Sequence, residues 1–229
     1  MKILAIDTAT EGCSAALLID DEVISRMEVV PRKHADLILP MLDEILAEAQ
    51  LSVKQLDALA FGRGPGAFTG VRIATGVIQG IALGSDLPVV PVSTLRALAQ
   101  RTYIEHAHEK VLTAFDARMG EVYWAEYVLD EYQIMQLQGE EQVIAPQEVM
   151  LSSAQGTLWA GSGSGWAAYV DELKRVVSTD LTGLYPDMIT RADEIVLLAS
   201  HDFAMGLSVS TEHALPVYLR NKVAKKKSA

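Results

Sequence analysis

One cysteine, Cys13, stands among the 229 residues. An internal disulfide is therefore excluded, and the composition fits a reducing compartment in which that thiol packs as a small apolar group. Long hydrophobic runs are missing as well. The longest uncharged stretch of the glycine-rich region, Ile73 to Ser85, falls short of the roughly 20 residues that a spanning helix needs. The opening Met1-Lys-Ile-Leu-Ala-Ile-Asp7 meets an acid too early for a secretory leader. A cytoplasmic protein without membrane attachment is the expectation. Several catalytic signatures are absent too. His-Glu-x-x-His does not occur, and neither does Gly-x-Ser-x-Gly, so neither a zinc peptidase nor a hydrolase elbow is signalled. Positive charge is scarce outside the C-terminus. The net charge is −11, the last ten residues hold five Lys or Arg and no acid, and removing those five leaves −16 on residues 1–219. So acidic a body repels phosphate backbones and argues against independent nucleic-acid binding by the globular part. The Lys225-Lys-Lys227 run reads as a solvated basic tail over 221–229.

What is present is a chain 50% hydrophobic and 21% charged, enough for one large domain or two lobes of roughly a hundred residues each. Its centre is Phe61-Gly-Arg-Gly-Pro-Gly-Ala-Phe-Thr-Gly-Val-Arg72. A buried strand, Ala58–Phe61, leads into Gly62, Gly64, Gly66 and Gly70, with Pro65 stiffening the turn, and a helix follows from Val71 to about Leu83. A rigid loop at a helix N-terminus suits an anion or a docked backbone; a glycine-rich turn without any ligand fits the same composition. No lysine completes a P-loop, and Gly62-x-Gly64-x-x-Ala67 is at best a degenerate dinucleotide fingerprint. Inside the helix, Gly76 and Gly80 lie four apart and Gly84 continues the row. Each internal glycine costs about 1 kcal/mol against alanine, which implies a very close neighbour on the bare face. The internal sheet and a second helix are both candidates for that neighbour.

Around this centre the chain reads as alternating strands and helices. Lys2–Ile6 is a strand ending at Asp7-Thr8; Gly12–Ile19 and Val23–Val29 form a hairpin around Asp20-Asp21. Ile38, Met41, Leu42, Ile45 and Ala49 recur at helical spacing, with Asp43, Glu44 and Glu48 opposite, and Pro40 is expected in the first turn or at a kink. His34 reads as a cap or surface residue. Leu87–Pro91 is a further strand, and Ser93 caps a helix to about Tyr103. The polar His106–Lys110 segment is the natural lobe boundary, its two histidines being loop residues rather than metal ligands. Beyond it, Val111–Phe115 is a strand ending at Asp116. Strands at 121–128 and 133–137, a helix near 146–151 and a strand at 157–160 follow. The Gly161–Gly165 turn enters a helix over 167–176, and a last helix spans 192–205. Two halves that each open strand, Asp, hairpin suggest an internal duplication. A first strand ending in Asp-Thr is also how actin-like phosphotransferase folds begin, and Asp7 equally suits a capping role.

Taken together, Asp7-Thr8, the Gly62–Arg72 elbow, Asp116-Ala-Arg118 with Gly120-Glu-Val-Tyr123, and Pro216-Val-Tyr-Leu-Arg220 resemble the TsaB (YeaZ) family over nearly the whole chain. The resemblance implies an α/β fold of the actin/Hsp70-like type, two ribonuclease-H-like lobes at 1–105 and 106–220. It implies a non-catalytic partner of the paralogue TsaD, acting with the ATPase TsaE in threonylcarbamoyl transfer to N6 of adenosine 37 of tRNA. In that picture ATP is used by the complex, the isolated chain binds no cofactor, and tRNA is met only through the complex. The partner-binding helices land on 34–50 and 70–84, giving Ile38, Met41, Leu42, Ile45, Ile73, Ala74, Val77 and Gly80 as the expected docking face, with a homodimer when the partner is missing. Asp7, Thr8, Gly64, Gly66, Thr69, Asp116 and Arg118 are the expected phosphate or ligand contacts. Catalytic relatives hold a metal on two histidines four apart, at positions matching Thr94 and Leu98 here, so no metal and no catalytic residue is expected. The alternative is an autonomous actin-fold ATPase or phosphotransferase. Against it, Ala9-Thr-Glu-Gly12 replaces the usual Gly-Thr-rich phosphate hairpin and puts Glu11 beside any phosphate.

Overall fold

A computed structural model describes residues 1–30, 32–152, 158–177 and 181–220. The basic tail and Thr157 of an expected strand lie outside the described residues. The first sheet contains β1 (Lys2–Asp7), β2 (Gly12–Ile19), β3 (Glu22–Val29), β4 (Ala58–Gly62) and β5 (Val89–Val92), in the order β3-β2-β1-β4-β5. β1, β2 and β3 pair antiparallel, whereas β1, β4 and β5 run parallel. The second sheet contains β6 (Lys110–Arg118), β7 (Glu121–Leu129), β8 (Met135–Ile144), β9 (Trp159–Ser162) and β10 (Leu181–Tyr185). Read as β8-β7-β6-β9-β10, it repeats the first sheet strand for strand, again antiparallel through the hairpins and parallel from the central strand outward. This is the ribonuclease-H-like order used twice, the α/β architecture of actin-like proteins.

Six helices cover the sheets among the described residues: α1 (His34–Glu48), α2 (Phe68–Ser85), α3 (Thr94–His106), α4 (Ser164–Ala168), α5 (Val170–Val177) and α6 (Ala192–Ala204). Side-chain alternation on β1 decides which helix goes where. Leu4 and Ile6 point into a cluster with Leu59, Phe61 and the inner faces of α1 and α2. Ile3 and Ala5 point the other way, with Ala16, Ala58 and Ala60, against α6. That second face is built largely of alanine, and α6 meets it with Ala192 and Ala199, so helix and sheet approach closely. The last helix of the chain thus packs on the first sheet, while Leu95, Leu98 and Ala99 of α3 pack with Val111 and Phe115 of the second. The sheets change over at 107–109, but the two halves exchange helices across that point.

Local differences from the sequence reading have local causes. The helix expected near 146–151 is a single 3-10 turn, Pro146–Glu148. The helix expected over 167–176 is broken at Tyr169, whose φ of −137° leaves the helical region. α2 starts at Phe68 rather than Val71, because the Val71 amide already bonds the Ala67 carbonyl at 2.9 Å and closes a first turn through Thr69 and Gly70. Pro40 sits in the second turn of α1 on its exposed side, where its missing N–H is tolerated.

Candidate functional site

Asp7-Thr8 and the glycine elbow come together at the end of the first sheet. The Thr8 hydroxyl donates to the Gly70 carbonyl at 2.7 Å, and the Ala67 amide donates to the Ala9 carbonyl at 2.8 Å. The fit is too tight for any side chain. A Cβ on Gly62 would come within 2.4 Å of Asp7 Oδ1, one on Gly66 within 2.4 Å of the Ala9 carbonyl oxygen, and one on Gly70 within 1.9 Å of the Thr8 carbonyl oxygen. Asp7 itself has no exposed surface. Its Oδ1 accepts from the Ala9 amide at 3.0 Å, and its Oδ2 accepts from the Thr190 hydroxyl. Burial pushes its carboxyl pKa up, against the pull of those hydrogen bonds. Asp7 and Thr8 therefore tie the elbow to the sheet, and Gly64 is buried too. Gly66 is half-buried and Thr69 exposed. Thr190, the partner that closes the Asp7 site, carries no sequence signal, since it lies 183 residues away in the chain.

Asp116 and Arg118 form a separate group at the end of β6. Asp116 Oδ1 accepts from the Arg118 amide and Oδ2 pairs with its guanidinium, both at 2.8 Å. The Arg118 side chain is 80% exposed. The C-terminal Pro216–Arg220 motif joins this group to the elbow. The Val217 amide donates to the Arg63 carbonyl at 2.9 Å, Tyr218 Oη accepts from Arg72 Nε at 2.8 Å, and Arg220 pairs with Glu121 and donates to the Arg118 carbonyl at 3.2 Å. Gly64, at φ +97°, lets the Val217 carbonyl approach. The terminal motif is a strap from the first lobe to the second. Arg118 ties the lobes through its backbone while its side chain stays at the surface.

The helical face expected to dock a partner turns out differently. Ile38, Met41, Leu42 and Ile45 are at most 5% exposed, and Ala74 is fully buried. They are the inner faces of α1 and α2, held against the first sheet by the periodicity that made them conspicuous. Ile73 and Val77 are half-buried at the flank. Gly80 faces outward with Gly76 and Gly84, and Leu83 beside them is 79% exposed. A Cβ added at any of these three glycines would meet nothing within 4 Å among the described residues. The close neighbour expected from the helix cost is therefore neither the sheet nor α1.

Thr94 and Leu98, the positions expected to match the imidazoles of catalytic relatives, are engaged within the protein. The Thr94 hydroxyl donates to the Pro65 carbonyl, and Leu98 is buried against Gly163. Among the described residues, no three His, Cys, Asp or Glu side chains gather as a metal site requires. His106 stacks on Tyr185 with centroids 3.9 Å apart, and His108 Nε2 meets the Tyr185 hydroxyl at 2.7 Å. Burial, with His106 nearby, holds the His108 pKa below the usual imidazole value. The Gly161–Gly165 turn is filled likewise, since a Cβ on Gly163 would lie 2.6 Å from the Ala114 carbonyl oxygen. Burial raises the Cys13 thiol to about 11, in keeping with its apolar packing. Burial also lifts Glu194 of α6 to about 7, against the opposing charge of Arg191. No helix among the described residues is long and apolar enough to cross a membrane.

Comparisons with known proteins agree on one assignment. The family model described as TsaD, tRNA N6-adenosine threonylcarbamoyltransferase, matches residues 19–228. The tRNA threonylcarbamoyladenosine biosynthesis protein TsaB of Escherichia coli K12 is 47% identical, covering 99% of this chain and 98% of that one. The Haemophilus influenzae protein of the same name is 41% identical over 99% and 97%. YeaZ from Pseudomonas aeruginosa superposes with a TM-score of 0.90 at 45% identity, over 95% of this chain and 99% of the other. With the duplicated lobes, the elbow and the terminal strap in their expected order, the chain belongs to the TsaB (YeaZ) family, within the wider group that the TsaD model describes.

Proposed function

We propose that this chain is a non-catalytic subunit in the formation of threonylcarbamoyladenosine on tRNA, and that it works by docking to and activating a TsaD-type enzyme, with TsaE as the ATPase of the assembly. One observation carries the reading. Gly76 and Gly80 cost α2 about 1 kcal/mol each, Gly84 continues their row near its end, and among the described residues nothing fills the space they leave. The occupant that fits is the backbone of another protein packed close against α2. The TsaD model matches nearly the whole of this chain, so a TsaD-type partner has the same fold and offers an equivalent helical face. Leu83 and the flanks of Ile73 and Val77 supply apolar area beside the glycine row. A second copy of this chain offers that face too, which makes a homodimer the expected state when the partner is absent.

A supporting role in place of catalysis is favoured by the side chains themselves. Asp7, the acid at the end of the first strand, has both oxygens engaged by the protein and no exposed surface. Thr94 and Leu98 offer no imidazoles. ATP and tRNA are on this reading handled by the assembly. The test mixes the purified chain with a TsaD-type paralogue, TsaE, ATP and tRNA. Modified nucleoside is expected only when all are present, and Gly80→Glu is expected to abolish co-elution with the paralogue while the variant stays folded. Modified tRNA made by this chain unaided would refute the proposal.

A further inference from the structure

The chain enters α6 through residues 189–194, and side chains of both lobes hold this entry. Toward the first sheet, the Thr190 hydroxyl donates to Asp7, the Ala192 amide donates to the Ser14 hydroxyl at 2.9 Å, and Ser25 of β3 donates to Asp193 at 2.8 Å. Toward α3, the Arg101 guanidinium donates to the Ile189 carbonyl and pairs with Glu105 at 2.8 Å. The Arg191 guanidinium pairs with the same Glu105 oxygen. Because α3 packs on the second sheet and α6 on the first, this cluster ties the two exchanged helices together. Arg191 also has a second carboxylate beside it. Glu194, one turn on, is buried, and its Oε1 stands 3.8 Å from Arg191 Nη2, too far for a hydrogen bond. Glu194 Oε2 and Arg191 Nε are both buried without a hydrogen-bond partner among the described residues. One cation therefore grips one acid and falls short of another, and the second pair keeps an idle acceptor next to an idle donor.

An ionised Glu194 would not stay in that arrangement, since a buried carboxylate next to a free guanidinium N–H gains by turning to it. A protonated Glu194 makes no such demand. Burial accordingly pushes the Glu194 carboxyl up to about 7, opposed by Arg191 and Arg101 and helped by Asp193. Those charges come from α6, its cap and α3; the sheet face beneath α6 presents apolar side chains such as Ile3, Ala5 and Leu18. Asp7, the buried acid at the end of β1, is engaged by Thr190 and the Ala9 amide. Glu105 lies on the other side of the usual carboxylate range, its partial burial outweighed by the Arg101 hydrogen bond and by the charges of Arg101, Arg191 and His106. We propose that Glu105, Arg191 and Glu194 form a proton-controlled latch between α3 and α6, in which Arg191 holds Glu105 while Glu194 keeps its proton and turns to Glu194 when that proton is lost to solvent. The structure has the first arrangement. In the second, Arg191 Nε donates to Glu194 Oε2, Glu105 keeps Arg101 alone, and the join between the helices loosens. The latch is independent of the docking proposal.

The experiment follows the purified full chain by NMR from about pH 5 to about pH 9, recording glutamate side-chain carboxyl carbons and arginine Nε–Hε resonances, each correlated to its assigned backbone. The Glu194 carboxyl is expected to titrate with a midpoint near 7, and the Arg191 Nε–Hε resonance to shift along the same curve. Arg191→Gln should raise the Glu194 midpoint by about 1 pH unit. Glu105→Gln frees Arg191 for Glu194 and should lower that midpoint by roughly half a unit. Unfolding in urea gives a second readout. The folded-state pKa lies above the ordinary 4.5, so the protonated acid contributes stability that is full below about 4.5 and is lost as the pH rises through about 7. The urea midpoint should fall across that window, and Glu194→Gln should flatten the fall. A Glu194 carboxyl that keeps one form between about pH 6 and about pH 8 would overturn the proposal. An Arg191 Nε–Hε resonance indifferent to that titration would overturn it as well. Both results are read on the unaltered chain, so they hold even if a variant fails to fold.

Discussion

The glycines of the elbow and the glycines of α2 are neighbours in the chain with opposite surroundings. Gly62, Gly66 and Gly70 are pressed against Asp7, Thr8 and Ala9 so closely that a methyl group would fall 1.9 to 2.4 Å from an oxygen. Their conformational cost is offset inside the molecule, by the tie between the elbow and the first strand. Gly76, Gly80 and Gly84 meet nothing within 4 Å among the described residues. Absence of a side chain serves close packing in both places. In the first the neighbour is the chain's own backbone, and in the second no described residue supplies it. Sequence alone gives both sets a close neighbour; only the packing shows which neighbour each one has.

Substitutions on the two sides of this contrast should differ in sign. The largest effect belongs to Ala74→Arg on the inner face of α2. Ala74 has no exposure, and an unpaired guanidinium there should cost more than about 3 kcal/mol, removing the cooperative thermal transition followed by circular dichroism. A normal melt would mean that α2 turns another face inward. Next is Gly70→Ala, whose methyl meets the Thr8 carbonyl, an atom of backbone that cannot swing aside; a loss of about 1–3 kcal/mol in urea unfolding is expected. On the open side the sign reverses. Gly76→Ala and Gly80→Ala should each stabilise the isolated chain by up to about 1 kcal/mol, raising its Tm by about 2–4 °C per substitution, and yet weaken association with the partner. Destabilisation by either would show that the face is already packed in the monomer. The smallest effect is expected from Tyr218→Phe. It removes the bond from Arg72, whose guanidinium also lies 3.6 Å above the Phe68 ring, and should lower stability by about 0.5–1 kcal/mol without disturbing the elbow.

Much of the framework was legible from local pattern. The strand ending at Asp7, the hairpin over 12–29, the Ser93 cap and the final helix all follow from short-range spacing, and the structure has them. The repeated strand order follows from the repeated opening of each half. Periodicity also identified Ile38, Met41, Leu42 and Ile45 as sharing one side of a helix. It could not say whether that side turns to the sheet or to solvent, and the first sheet, itself buried on both faces, claimed it. The exchange of α3 and α6 between lobes was illegible for a similar reason, since an amphipathic helix does not name the surface it covers. β10 escaped notice because Leu181-Thr-Gly-Leu-Tyr185 is a short, half-exposed edge strand with a glycine at its centre. The Thr190 contact at Asp7 joins residues far apart in sequence, which no local motif marks.

The most direct test measures association of this chain with a TsaD-type paralogue by calorimetry, comparing the unaltered chain with the Gly76→Ala/Gly80→Ala double variant. The expected result is a variant that melts higher by itself and binds at least about tenfold more weakly, because its two methyl groups hold the partner's backbone away from α2. Unchanged affinity in a stabilised variant would contradict the assignment of the open glycine face to a partner.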